Sequence, residues 1–339
     1  TMITALATIF VFGLIVFIHE LGHFITAKLS GMQVDEFAIG FGPVLVKAQY
    51  GETLYAMRCI PLGGFNRIAG MTPDEDLNER SFYNKKAYQK FIVISAGAIF
   101  NFILAIVIFF SINVTVGTLT MSDKPIIGGL VRGEPAAVAN LQEGDTIVSI
   151  DNHPITKWNE ISTHLQGTAG HAVAMVISRD GNEFEATIVP KQEQDAVRIG
   201  IYPSYDKTPL SISESITKAI DRTVLVIHSM IEGLWNMITG TEKGELSGPV
   251  GISQMAGSIA QQGFIPLLAF AALLSINLGI INLLPLPVLD GGNLVLILVE
   301  ALTRRKLPAK ALMYIQMAGV VLMITLFVYV TTKDIMRLL

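Results

Sequence analysis

Apolar residues along this 339-residue chain fall in long unbroken runs, not in the short alternating or 3.6-spaced stripes of a water-soluble core. Three runs, residues 2–27, 91–116 and 311–331, reach the ~20 residues a helix needs to cross a bilayer. A fourth, residues 264–284, ends at Pro285-Leu286-Pro287, where two prolines remove backbone donors and force the chain open before Asp290-Gly291-Gly292. Broken backbone at membrane depth is tolerated only where it is buried in protein or lines a wet cavity, so the break predicts a site.

The pattern changes between the second and fourth runs. Residues 172–177 and 183–189 read as strands around Asp180-Gly181, a two-residue hairpin signal, within a polar stretch, 119–205, that predicts a small inserted α+β domain. The run Gly133-Glu134-Pro135-Ala136-Ala137, followed by Gly144-Asp145 and a strand, resembles a PDZ domain of the bacterial arrangement, with residues 126–131 in the place of its carboxylate-binding loop. Residues 213–239 are apolar in patches but carry Asp221, Arg222, His228 and Glu232, which predicts an interfacial amphipathic helix and not a fifth span. Residues 52–59 are strand-like and Pro61-Leu62-Gly63-Gly64 breaks them, which predicts a hairpin around residues 52–71 with an edge able to accept another chain. The chain therefore divides into an N-terminal membrane core (1–118), a PDZ-like domain (119–205), a helical linker (206–263) and a C-terminal membrane core (264–339). The fold class is an α-helical polytopic membrane protein with about four transmembrane helices, a membrane-associated β-hairpin and an inserted extracytoplasmic PDZ-like α+β domain.

Composition agrees. Hydrophobic residues make up 51% of the chain and charged residues 15%, with a mean hydropathy of +0.53, too apolar for an ordinary soluble domain. The net charge of −4 gives no footprint for nucleic acid, and the single Cys59, expected as a packed thiol, excludes an internal disulfide framework. The first run has neither a basic leader nor a small-residue cleavage site and is expected to be a retained anchor. Basic residues crowd the loop between the first two runs (Lys28, Lys47, Arg58, Arg67, Arg80, Lys85, Lys86, Lys90) and precede the last (Arg304, Arg305, Lys306, Lys310), so these loops are expected to be cytoplasmic. The inner end of the first span and Asp290 then approach the same side, and both chain ends and the inserted domain lie on the other.

The chemistry sits in His19-Glu20-Leu21-Gly22-His23, inside the first apolar run. On a helix, residues i and i+4 share a face, so both histidines can turn a nitrogen to one Zn²⁺ while Glu20 is placed to act on water. Ionisable groups cost roughly 2.5–3.5 kcal/mol at the centre of an apolar span and persist where they pair, bind or react. A catalytic zinc takes three protein ligands and leaves a position open, and Asp290 is the acid best placed to be the third. Two other roles compete: Asp290 as the cap of a following helix, and Glu300 as the ligand, although Glu300 neighbours the basic residues 304–306 and reads as a surface ion pair. Asn277 and Asn282 are amides in an apolar span that need partners, either a substrate backbone or a neighbouring helix. Two other classes could use these residues: a divalent-metal transporter, which would show inverted repeats, and a PDZ-type membrane scaffold with a structural metal, which would supply four ligands.

Together with Gly40-Phe41-Gly42-Pro43, Ile60-Pro61-Leu62-Gly63-Gly64, residues 97–101 and the stretch 277–291, these motifs resemble the site-2 protease family of intramembrane zinc metalloproteases, in its bacterial RseP-like branch, over nearly the whole chain. The resemblance implies a zinc-dependent endopeptidase of regulated intramembrane proteolysis, one Zn²⁺ per chain on His19, His23 and Asp290, and Glu20 as acid/base. It implies substrate contacts from Asn282, Asn277, Gly40 and Gly42, and a re-entrant β-element that pairs with an unwound substrate strand. The partners it implies are membrane lipid and single-span membrane proteins already trimmed outside the membrane, such as anti-sigma factors or signal-peptide remnants. The location it implies is the bacterial inner membrane, with the active site near the cytoplasmic side. One PDZ-like unit, where some relatives have two, is the departure from the family pattern.

Overall fold

A computed structural model of the chain describes residues 2–71, 78–193, 196–241, 248–305 and 308–336. It divides into two compact units, one made of residues 1–113 with 212–339 and the other of residues 114–211.

The first unit opens with helix α1 (Met2–Leu29), followed by a hairpin of β1 (Val34–Tyr50) and β2 (Thr53–Ile68) and by helix α2 (Ala87–Val116). The hairpin turns at Gly51, whose φ of +60° suits a residue without Cβ. β2 does not stop at Cys59 as the proline and glycines suggested. It runs on to Ile68, because irregular register takes up Pro61 and Gly63: Phe41 faces Ile60 while Val44 faces Arg58, and Gly63 has a φ of +139°. The base of the hairpin is anchored on α1 by Phe37, whose ring meets those of Phe17 and Phe24 at 6.1 and 5.1 Å between centroids. Its far half exposes Val44, Leu45 and Val46, and Cys59 is exposed too, not packed. Near the turn, Arg80 and Lys28 both donate to Glu52 and hold its carboxyl down at about 2.

The second unit contains β3 (Thr118–Met121), β4 (Ile127–Leu130), the short helix α3 (Pro135–Val138), β5 (Thr146–Ile150), β6 (His153–Pro154) and α4 (Trp158–Leu165). It continues through β7 (Val173–Arg179), β8 (Asn182–Ile188), β9 (Lys191–Glu193), β10 (Ala196–Arg198), β11 (Ile201–Pro203) and β12 (Tyr205–Thr208). Its main sheet has the order β6-β5-β7-β8. Val173, Met175 and Ile177 alternate inward on β7 and pack with Ile147, Ile150 and Ile188. Asp180 and Gly181 make the β7–β8 turn with φ of +52° and +83°, the left-handed pair a tight hairpin requires. Asp145, buried, is paired with Arg179 at 2.7 and 2.8 Å. Burial raises its pKa, but the guanidinium and the Gln142 N–H outweigh burial and hold the carboxyl below its usual range. Residues 127–130 form a strand paired with β11, not a loop, and the cavity beside α4 is lined by Val131 and Glu134 together with residues 197–202.

The first unit resumes with α5 (Ile212–Thr239), α6 (Pro249–Gln262), α7 (Phe264–Asn282), α8 (Asp290–Thr303) and α9 (Ala309–Met336). Among the described residues, four helices are long and apolar enough to cross a membrane: Met2–Leu29, Ala87–Val116, Phe264–Asn282 and Lys310–Met336. The amphipathic stretch at 213–239 is helical and does not meet that measure. In lipid there is little hydrophobic drive between helices, so close approach comes from small residues. Ala7, Ala105, Ala219, Ala256, Ala271 and Ala272 are buried in the shared core, beside Val11, Ile15 and Phe109. At Gly22 a Cβ would lie 2.6 Å from the Ala96 carbonyl oxygen, so α1 and α2 meet there almost backbone to backbone.

Candidate active site

The site is assembled from α1, α2, β2 and the break between α7 and α8. His19 and His23, one turn apart on α1, are each 8% exposed and face inward, and Glu20 lines the same cavity, about 260 Å³ in volume. Asp290 comes from the other end of the sequence. α7 stops at Asn282, the prolines carry the chain through residues 283–289 without helix, and Val288 has a φ of +78°, a strain a β-branched residue adopts only when its surroundings impose it. Gly291 and Gly292 let α8 start hard against that turn, since a Cβ on either would collide with the carbonyls of residues 283, 284 and 286. Asp290 is the first residue of α8, after Leu289 at the cap, and makes no capping bond, so the cap role weighed from sequence is not the one it takes.

His19 Nε2, His23 Nε2 and Asp290 Oδ2 form a nearly equilateral triangle with edges of 3.3, 3.4 and 3.4 Å. In a regular tetrahedron the edge is about 1.63 times the bond, so zinc bonds of ~2.0–2.1 Å require edges of about 3.3–3.4 Å. The three donors are spaced for one tetrahedral zinc with a fourth position left over. Asp290 Oδ2 is also buried without a hydrogen-bond partner, which a cation would satisfy. Glu300 is not in the cluster; it lines a neighbouring cavity with Lys90 and Gln316.

The helix α2 orients the two imidazoles. His23 Nδ1 donates to the Val93 carbonyl at 2.8 Å, which leaves the Nε2 lone pair facing the cavity. His19 Nδ1 lies 3.2 Å from the Asn101 amide. With its oxygen turned to the ring, that amide accepts from His19 Nδ1–H, which leaves the Nε2 lone pair free to face the cavity. Gly97, on the same helix, abuts both rings: a Cβ there would lie 2.6 Å from His19 Cε1 and closer still to His23 Nε2.

Asn282 lines the cavity, its amide nitrogen 3.2 Å from His19 Nε2. Asn277, Gly40 and Gly42 do not line it. Gly40 and Gly42, with φ of +87° and +85°, serve the irregular register of β1, and a Cβ on Gly40 would lie 2.6 Å from the Ile60 carbonyl oxygen. The hairpin's contribution to the cavity comes instead from Gly64, Phe65 and Asn66 on β2. Asn66 and the supporting roles of Val93, Gly97 and Asn101 were not evident from sequence; an amide at residue 101 inside an apolar span was the one signal available.

Apolar helices that bring two histidines, a glutamate and an aspartate to one cavity define a membrane metallohydrolase. The chain belongs to peptidase family M50, the site-2 protease family, whose pattern matches residues 7–326, and it is a metalloendopeptidase. A Fusobacterium nucleatum protein is 35% identical over 99% of both chains. The zinc metalloprotease RasP of Bacillus licheniformis is 30% identical over 99% of this chain and all of its own. The regulator of sigma-W protease RasP of Bacillus subtilis is 30% identical over 99% of both. Among solved structures, the PDZ domain of an SdrC-like protein from Listeria monocytogenes covers 25% of this chain and 90% of its own at 21% identity, with a TM-score of 0.22.

Proposed function

We propose that this chain is a zinc-dependent intramembrane endopeptidase that cuts single-span membrane proteins within or beside the bilayer. The observation that carries this reading is the donor triangle of His19, His23 and Asp290, spaced for one zinc per chain and open on its fourth side. When bound, zinc would polarise a peptide carbonyl and bring the pKa of water down toward ~7. Glu20 takes the proton from the attacking water and returns it to the nitrogen of the leaving amine. Asn282, at the cavity wall, is placed to hydrogen-bond the substrate main chain; Asn277, Gly40 and Gly42 are not among the cavity-lining residues, so any contact they make would be with flanking residues of the substrate.

A transmembrane helix satisfies its own backbone groups, so its scissile bond becomes accessible only when the helix opens, and the long β1–β2 ladder offers replacement partners. The basic loops support a placement of the cavity toward the cytoplasmic side of a bacterial inner membrane, with the second unit outside as a PDZ-like domain that excludes substrates with bulky outer parts. Since a relative is described as a regulator of sigma-W protease, a trimmed anti-sigma factor is the first substrate to try, with signal-peptide remnants next.

The test is cleavage of a tagged single-span substrate by purified protein in detergent. Glu20→Gln should retain about one zinc per chain and lose about 10²- to 10⁴-fold in rate, and chelation should abolish wild-type cleavage until zinc is restored. Full activity in Glu20→Gln, or in chelated protein, overturns the assignment.

A further inference from the structure

Asn66 gives one amide nitrogen to two oxygens of a single residue: it donates to the main-chain oxygen of Glu20 at 2.8 Å and to Glu20 Oε2 at 2.7 Å. The orientation of this amide is fixed by chemistry, because turned over it would set its own oxygen against two acceptors. The sequence explains how a strand residue reaches the helix. Residues two apart on a strand share a face, so Gly64 and Asn66 both look toward α1. At Gly64 a Cβ would lie 2.8 Å from Glu20 Cγ, so β2 passes directly over Glu20 at a position without a side chain, and the next residue on that face meets the carboxylate. A glutamate has three rotatable side-chain bonds; an amide that grips both its backbone and its carboxylate removes most of that freedom.

We propose that Asn66 is a positioning residue for Glu20, which makes strand β2 a working part of the catalytic centre and not only an edge for substrate. The inference rests on the reading of Glu20 as acid/base. Asn66→Leu, close in volume but without the donor, should lower kcat about 10- to 100-fold, the range for losing a hydrogen bond to a charged group. Zinc affinity in chelator competition should stay within about threefold, because Asn66 lines the cavity but bonds none of the three donors, and KM for the tagged substrate should change less than kcat. In a Glu20→Gln background the same substitution should change the residual rate less than about twofold, since groups acting as a unit are not additive. Should Asn66→Leu lose its thermal transition, Asn66→Ala, which removes the donor without adding bulk or charge, gives the same reading. An inactive Glu20→Gln beside a fully active Asn66→Leu overturns this proposal alone. So does a fall in zinc affinity that matches the fall in kcat, or an undiminished effect in the Glu20→Gln background. A fully active Glu20→Gln overturns the acid/base reading and this proposal with it.

Discussion

Replacing Gly97 with alanine puts one methyl group against the two imidazoles. The new carbon would lie 2.6 Å from His19 Cε1 and 2.8 Å from His19 Nε2, where non-bonded carbon contacts settle at about 3.5 Å or more, so the overlap is about 0.7–0.9 Å and greater toward His23. The rings have little room to swing: His23 is tied to the Val93 carbonyl, His19 sits against Asn101, and at Gly22 the two helices already touch. Overpacking of this kind costs about 1–3 kcal/mol, while glycine to alanine inside a helix returns up to about 1 kcal/mol, so the net loss of stability should be about 2 kcal/mol or less. The donor triangle should suffer more than the fold, because displacing groups that support metal ligands typically costs 10- to 100-fold in affinity. Titrating purified Gly97→Ala in detergent against a chromophoric chelator, alongside its thermal transition, separates the two. Zinc affinity within threefold of wild type would refute the reasoning, because the helix would then have accommodated the methyl without moving either ring.

Asn101→Leu should weaken zinc binding about 10- to 100-fold by removing the partner of His19 Nδ1, whereas Asn101→Asp, which can still accept that hydrogen, should retain most of the affinity; equal losses in both variants would argue against the orienting role. The Glu52 carboxyl, held at about 2 by Arg80 and Lys28 against an ordinary 4.5, has its pKa depressed in the folded chain. Its stabilisation is therefore complete above pH 4.5 and declines as pH falls from there toward 2. The thermal transitions of wild type and Glu52→Gln should accordingly differ at pH 7 and converge below pH 3.

How far the sequence carried the reading depends on what kind of neighbour each residue has. His19 and His23 share a helix, so their spacing alone puts them on one face, and Asp290 declares itself by lying just beyond a double-proline break at the end of an apolar run. Their meeting across 271 residues follows only if the spans are counted and oriented. The sequence predicts an end for β2 at Cys59, nine residues early, because Pro61 and Gly63 normally terminate strands, and the irregular register that absorbs them is a property of the pair, invisible in one strand. Asn66 looks like any polar residue on a hairpin, and Gly97, although it opens one of the motifs of the resemblance, gives no sign along the chain that it abuts two imidazoles. Each acquires meaning from a helix that approaches it in three dimensions, and no local pattern encodes that approach.

The same distance along the chain also sets a clock. At 5–20 residues per second of synthesis, the 271 residues from His19 to Asp290 take about 15–55 s to emerge. Throughout that interval the growing chain carries His19 and His23, two of the three donors of the triangle, without the Asp290 carboxylate that completes it. A metalloendopeptidase with this donor set is thus silent during its own synthesis until the chain has passed Asp290.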